Sequence, residues 1–298
     1  MLGIHDYTRF VAFVAITVIL ALRDISVWML ADSILTALTG IFMLFLPSFI
    51  FDLETDGVKL DGLHIYFIRL TGCGMIAMAT VLFIFRNSTD RNAVRTLLWS
   101  RTIAFGLATV RIIFDRMMHS SNYTDFHMLY SMAASAVWFA GQSYQLYQNG
   151  MEAPSNPSTN SVKKYYLMDT ILNALGAVPD VFVPWLILPA GKDIAHQHYF
   201  ALMGSFNVGF CVLTWCASSF RFDEDKRTVF CARLTAVTMG LFCFLYGTTR
   251  EGLCPVWSEY ILALFGYPIF LIINFAGIYA IRQHRSSLQA NYDLRPRN

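Results

Sequence analysis

Asp32-Ser33-Ile34-Leu35-Thr36-Ala37-Leu38-Thr39 returns 137 residues later as Asp169-Thr170-Ile171-Leu172-Asn173-Ala174-Leu175-Gly176. Each copy opens on an aspartate within an apolar run, and the same offset carries Pro47 to Pro184. Further along, Arg95-Thr96-Leu97-Leu98-Trp99-Ser100-Arg101 is echoed by Arg227-Thr228-Val229-Phe230-Cys231-Ala232-Arg233. One such match could arise by chance in an apolar chain. Two matches, in order, indicate a duplication.

What surrounds these stretches is membrane sequence. Only 14% of the 298 residues are charged and 56% are hydrophobic, whereas a soluble domain carries about 25% charged residues. A helix crossing the hydrocarbon core needs about 20 mostly apolar residues. Eight stretches qualify: 28–50, 65–85, 96–113, 128–147, 165–188, 199–220, 228–246 and 259–280. The fold class expected is all-α: a multi-pass transmembrane protein of two tandem four-helix repeats. Four spans per unit is an even number, so both copies enter the membrane from one side and the repeat is parallel, not inverted.

The domain plan follows. Residues 1–27 hold an apolar run at 10–22, short for a span, which is read as an interfacial helix or a ninth crossing. Residues 28–147 and 165–280 are the repeats, 148–164 a polar linker with Asn149-Gly150 and Pro154, and 281–298 a basic tail. Thirteen lysines and arginines, among them Arg86, Arg95, Lys163, Lys164 and Arg227, fall on one side, against Lys59, Arg116, Lys192 and Arg250 on the other. The positive-inside rule then places the linker and C-terminus in the cytoplasm of a secretory-pathway membrane, the endoplasmic reticulum or plasma membrane. The Asn122-Tyr123-Thr124 sequon faces the opposite side, where it can be glycosylated, while Asn87-Ser88-Thr89 stays bare.

Charges inside spans are costly and need partners. Asp32 and Arg101 lie at similar depth, as do Asp169 and Arg233, and each pair is expected to be a structural ion pair. Nearer the other face, Arg69, Arg111 and Asp180 form a candidate charge cluster between the halves. Asp180 follows Pro179, which is expected to loosen its helix beside a carboxylate; the carboxylate either pairs with Arg69 or Arg111 and locks the halves together or forms a midplane site as in transporters. Five histidines (His64, His119, His127, His196 and His198) fall at helix ends, read as interfacial side chains with a polar tip in water. His196 and His198 are the weak candidates for a metal site, with Asp61, Asp115 and Asp125 near in sequence. The six cysteines offer no CxxC and no disulfide framework. No catalytic motif or cofactor-binding motif is present, and no basic patch suggests nucleic acid.

The pattern Arg69-Leu70-Thr71-Gly72 opening one helix and Phe85-Arg86-Asn87 closing it, with a third helix starting near Thr96, resembles a set of four-helix membrane families. One is the small scaffold of sterol demethylation in the endoplasmic reticulum. Another is a vertebrate protein named for induction by a tumour suppressor, and bacterial families of unknown function share the look. The resemblance implies a tethering or accessory role, with no catalytic residue to carry over. The expected function is therefore a non-enzymatic scaffold or accessory subunit in the lipid bilayer, partnered by other membrane proteins. The alternative is a small-solute or ion transporter with its site between the halves.

Overall fold

A computed structural model describes residues 4–152, 162–188, 192–251, 253 and 261–293. Most of the 148–164 linker, Cys254, the start of the 259–280 stretch, and Arg295 and Arg297 lie outside the described residues. The helices are α1 (Ile4–Ala21), α2 (Ile25–Phe45), α3 (Pro47–Glu54), α4 (Gly62–Phe85), α5 (Arg91–Met118), α6 (Ala133–Gln148), α7 (Lys163–Phe182), α8 (Pro184–Ile187), α9 (Ile194–Ala217), α10 (Asp223–Arg250) and α11 (Tyr267–Asp293). π-helical turns, His127–Met132 and Leu262–Gly266, lead into α6 and α11.

The chain is an all-α, multi-pass membrane protein. Among the described residues, six helices are long and apolar enough to cross a bilayer: α2, α4, α5, α9, α10 and Ala263–Gln283. Two of the eight expected spans take another form. The 128–147 stretch is a π-turn followed by the 16-residue α6, and 165–188 is the 20-residue α7, which carries Lys163, Lys164, Asp169 and Asp180, followed by a break and α8. α1 packs along α6, with Phe13 stacked on Trp138 at a centroid distance of 6.3 Å.

The breaks have a local cause. A residue preceding proline is pushed out of the α region. Leu46 (φ −126°, ψ 47°) before Pro47 and Val183 (φ −138°, ψ 46°) before Pro184 both do this, ending α2 and α7. The loosening expected at Pro179 thus falls four residues later. Pro179 itself stays within α7, and its carbonyl accepts from Val183 N at 2.8 Å.

Packing runs crosswise. α2 lies on α4 and α7 on α9, but α5 packs on α9 and α10 on α4, while α4 and α9 run together through the centre. Small residues permit the close approaches. A Cβ on Gly72 would come within 2.7 Å of the Gly40 carbonyl oxygen, and one on Gly204 within 2.7 Å of Asp180 Cβ. Ser100 Oγ donates to the Gly209 carbonyl at 2.7 Å, tying α5 to α9. Outward faces stay apolar: Ile34, Leu38, Ile41 and Phe45 on α2 are exposed, as are Ile171, Leu175, Val178 and Phe182 on α7.

Candidate functional site

The buried charges come first. Asp32 is wholly buried and receives Arg101 through Nε (3.0 Å) and Nη2 (2.5 Å), Trp138 Nε1 (2.8 Å), Gln142 Nε2 (2.5 Å) and Thr36 Oγ1 (2.9 Å). The Arg101 guanidinium also lies over the Phe105 ring at 4.5 Å. In the second half, Arg233 Nε reaches Asp169 Oδ2 at 3.0 Å and Asn274 Nδ2 reaches Oδ1 at 3.1 Å, with Arg233 between the rings of Phe210 and Phe270. Carboxylates in low dielectric need this density of donors.

Arg69 and Arg111, expected to cluster with Asp180, each have another acidic partner. Arg69 pairs with Glu251 and donates to the Leu44 carbonyl, and Arg111 Nε pairs with Asp115 Oδ2 at 2.6 Å, one turn along its own helix. Asp180 is buried on α7 against Gly204. Arg111 is neutralised one turn away on its own helix, whereas Arg69 reaches across to Glu251 at the end of α10, which sequence depth alone did not reveal.

A polar centre forms instead where the N-termini of α4 and α9 meet. Asp61 caps α4, its Oδ1 accepting from Leu63 N (2.9 Å) and His64 N (3.0 Å), while His64 Nδ1 accepts from Asp61 N at 3.3 Å. Asp193 caps α9, accepting from His196 N at 3.0 Å. Such caps satisfy the free N–H groups of a helix start. Each histidine then reaches across. His64 Nε2 lies 3.2 Å from Asp193 Oδ1, and His196 Nε2 lies 3.1 Å from both oxygens of Asp61, with its Nδ1 2.8 Å from Asp193 Oδ1. The two rings lie close and tilted by 32°, centroids 3.5 Å apart.

The imidazoles are buried while the carboxylates stay about two-fifths exposed, 42% for Asp61 and 39% for Asp193. Burial pushes both carboxyl groups up, but the hydrogen bonds from His196 and His64 prevail and hold them well below the usual carboxylate range. Lys192 Nζ adds a contact to Asp61 Oδ2 at 3.2 Å. One donor atom each from Asp61, His64 and His196 falls within a 4.8 Å sphere of mutual distance, which suits a metal ion.

His196 and His198 do not share a site. Residues two apart on a helix point to different faces, so His198 turns to Asp115 (Nδ1 to Oδ2, 2.8 Å) and packs beside Tyr123 and His127. His64 and Asp193 were missed as members of the centre. Their signal was present: Asp61-Gly62-Leu63-His64 and Asp193-Ile194-Ala195-His196 are one Asp-x-x-His box written twice, 132 residues apart, the same interval as Arg101 to Arg233.

Residues 30–279 match the family described as Domain of unknown function (DUF8292). The chain belongs to DUF8292. No curated protein and no solved structure matches it. The DUF8292 region takes in both Asp-x-x-His boxes and both buried ion pairs, and leaves α1 outside.

Within the DUF8292 region lie two cavities at matching places. One, about 230 Å³, is bordered by Leu35, Thr36, Met43, Met75, Phe105 and Trp138, with Glu54 and Ser131 at one end. The other, about 140 Å³, is bordered by Leu172, Asn173, Asp180, Asn207, Val237 and Phe270, with Arg233 in its wall. Each residue of the first six has its counterpart in the second six at an interval of 137 or 132 residues. Position has been kept and chemistry has shifted: both walls are mostly apolar, but the second adds Asn173, Asp180, Asn207 and Arg233.

Proposed function

We propose that this protein is a non-enzymatic membrane scaffold or accessory subunit, built from two parallel four-helix repeats, α2-α4-α5-α6 and α7-α9-α10-α11. The observation that carries the reading is the saturation of Asp32 by five donors from its own bundle, a pair designed to stay put rather than to release and rebind. Matching features support the repeat: the breaks before Pro47 and Pro184, the glycines Gly72 and Gly204, and the amides Gln142 and Asn274 on the two aspartates. Resemblance of each half to small four-helix scaffolds points the same way. The charge imbalance supports a cytoplasmic linker and C-terminus, with the Asp61 end on the opposite side.

The transporter reading is favoured by one feature, the cavity holding Asp180, Asn173, Asn207 and Arg233. Asp180→Asn separates the two. In a scaffold it changes folded yield or Tm and nothing else. A stable Asp180→Asn protein that loses a flux carried by the parent in proteoliposomes overturns the scaffold.

A further inference from the structure

The centre at the α4–α9 junction contains a contact that neutral groups cannot satisfy. A neutral imidazole carries one ring proton, so His196 can donate to Asp193 through Nδ1 (2.8 Å) or to Asp61 through Nε2 (3.1 Å) but not to both, and the other nitrogen turns a lone pair on a carboxylate. Two electron-pair donors at that distance repel unless a cation lies between them, and Lys192, on Asp61 alone, does not lie there. A tetrahedral ion with ligands at about 2.0–2.2 Å sets its donors about 3.3–3.6 Å apart, a little wider than the 3.1 Å between His196 Nε2 and the Asp61 oxygens. His64 supplies a further nitrogen within 4.8 Å of the other two donors, one that gives up its present hydrogen bond, to Asp61 N or to Asp193, when the ion binds.

We propose that Asp61, His64 and His196 bind a divalent transition-metal ion of the zinc class. Imidazole nitrogen with a carboxylate oxygen is a donor set that suits zinc over magnesium or calcium, which prefer oxygen alone. Asp193 does not need to touch the ion. It accepts from His196 Nδ1, the outer hydrogen bond that fixes tautomer and ring orientation in metal-bound histidines. Helix N-termini repel cations, and the two capping carboxylates offset that here. Both are partly exposed, which gives the ion an entry path from water. Lys192 competes for Asp61 and has the side-chain freedom to swing away. The ion joins the start of α4 to the start of α9, and so fastens one repeat to the other.

The test uses untagged full-length protein in lipid nanodiscs, stripped with chelator and titrated with Zn²⁺ or Co²⁺. The expected result is one tightly held ion per chain after dialysis, visible absorption from four-coordinate Co²⁺, and a Tm raised by Zn²⁺. Asp61→Asn keeps an N-cap residue and is expected to abolish binding while the metal-free protein stays folded, at a Tm lowered by the lost carboxylate contacts. Asp193→Asn weakens binding about 10–100-fold, and Lys192→Ala tightens it. A parent protein that retains no metal and gives no cobalt spectrum overturns the proposal, as does an Asp61→Asn protein that binds as tightly as the parent.

Discussion

Asp32 and Asp169 are both buried aspartates beside an arginine, yet they would respond differently to losing it. After Arg101→Ala, Asp32 keeps Trp138, Gln142 and Thr36 as neutral donors, whereas after Arg233→Ala Asp169 keeps Asn274 alone among the described hydrogen bonds. Breaking a buried pair costs about 3–5 kcal/mol. Arg233→Ala is expected at the upper end and Arg101→Ala at the lower, read as loss of monodisperse protein in size-exclusion and as Tm. The reverse order would show that the neutral donors do not compensate. Asp32→Asn combined with Arg101→Gln should recover part of the single-variant loss. Acid tells of the other carboxylates. Asp61 and Asp193 are held below their ordinary range when folded, so their contribution is complete above the unfolded value of about 3.9 and drains away as pH falls beneath it. His127, pushed down to about 2 by burial, stays neutral in the fold while the unfolded chain takes up its proton below about pH 6.5, so thermal stability is expected to slope down through mild acid and to steepen below about pH 4, with a shallower acid limb for Asp61→Asn.

At the scale of elements, glycines on one helix divide by what they meet. A Cβ at Gly72 would stand 2.7 Å from a backbone oxygen of α2, which cannot yield cheaply, while one at Gly74 meets nothing within 4 Å. Gly72→Ala should lower Tm by several degrees and Gly74→Ala should hold or raise it, since alanine favours a helix by about 1 kcal/mol. Equal effects at both sites would rule out close α2–α4 packing. Helices were legible in the sequence because apolar length is a local property. The breaks were half-legible: Pro47 and Pro184 were visible, but Pro179 drew attention from Val183, where the backbone departs. The Asp61 centre was hidden for another reason. Its four residues belong to loops and first turns, where composition is mixed, and only their spacing betrays them. Arg69 and Arg111 were misplaced because depth in a span says nothing about azimuth, and azimuth gave them Glu251 and Asp115.

For the whole molecule, a glycan reports orientation. Asn122 sits in the turn that joins the Asp61 end through Asp56, whose N–H donates to the Asn122 carbonyl at 2.9 Å, and Asn87 lies exposed at the opposite end. Expressed in a glycosylating cell, the protein should lose a mobility shift on Asn122→Gln and none on Asn87→Gln; sugar on Asn87 would invert the proposed topology. The crosswise packing bears on how the chain is made. α5 rests on α9 and α10 on α4, and the far end is cross-tied by Ser88 to Asp225 (2.7 Å) and Asn92 to Ser219 (2.8 Å). A ribosome that has delivered only α1 to α6 has therefore released an unfinished object, whose α5 flank waits for helices still being translated. That interval calls for a chaperone or for shelter at the translocon. Split within the linker, the two fragments should each be degraded when expressed singly and should rescue one another when synthesised together.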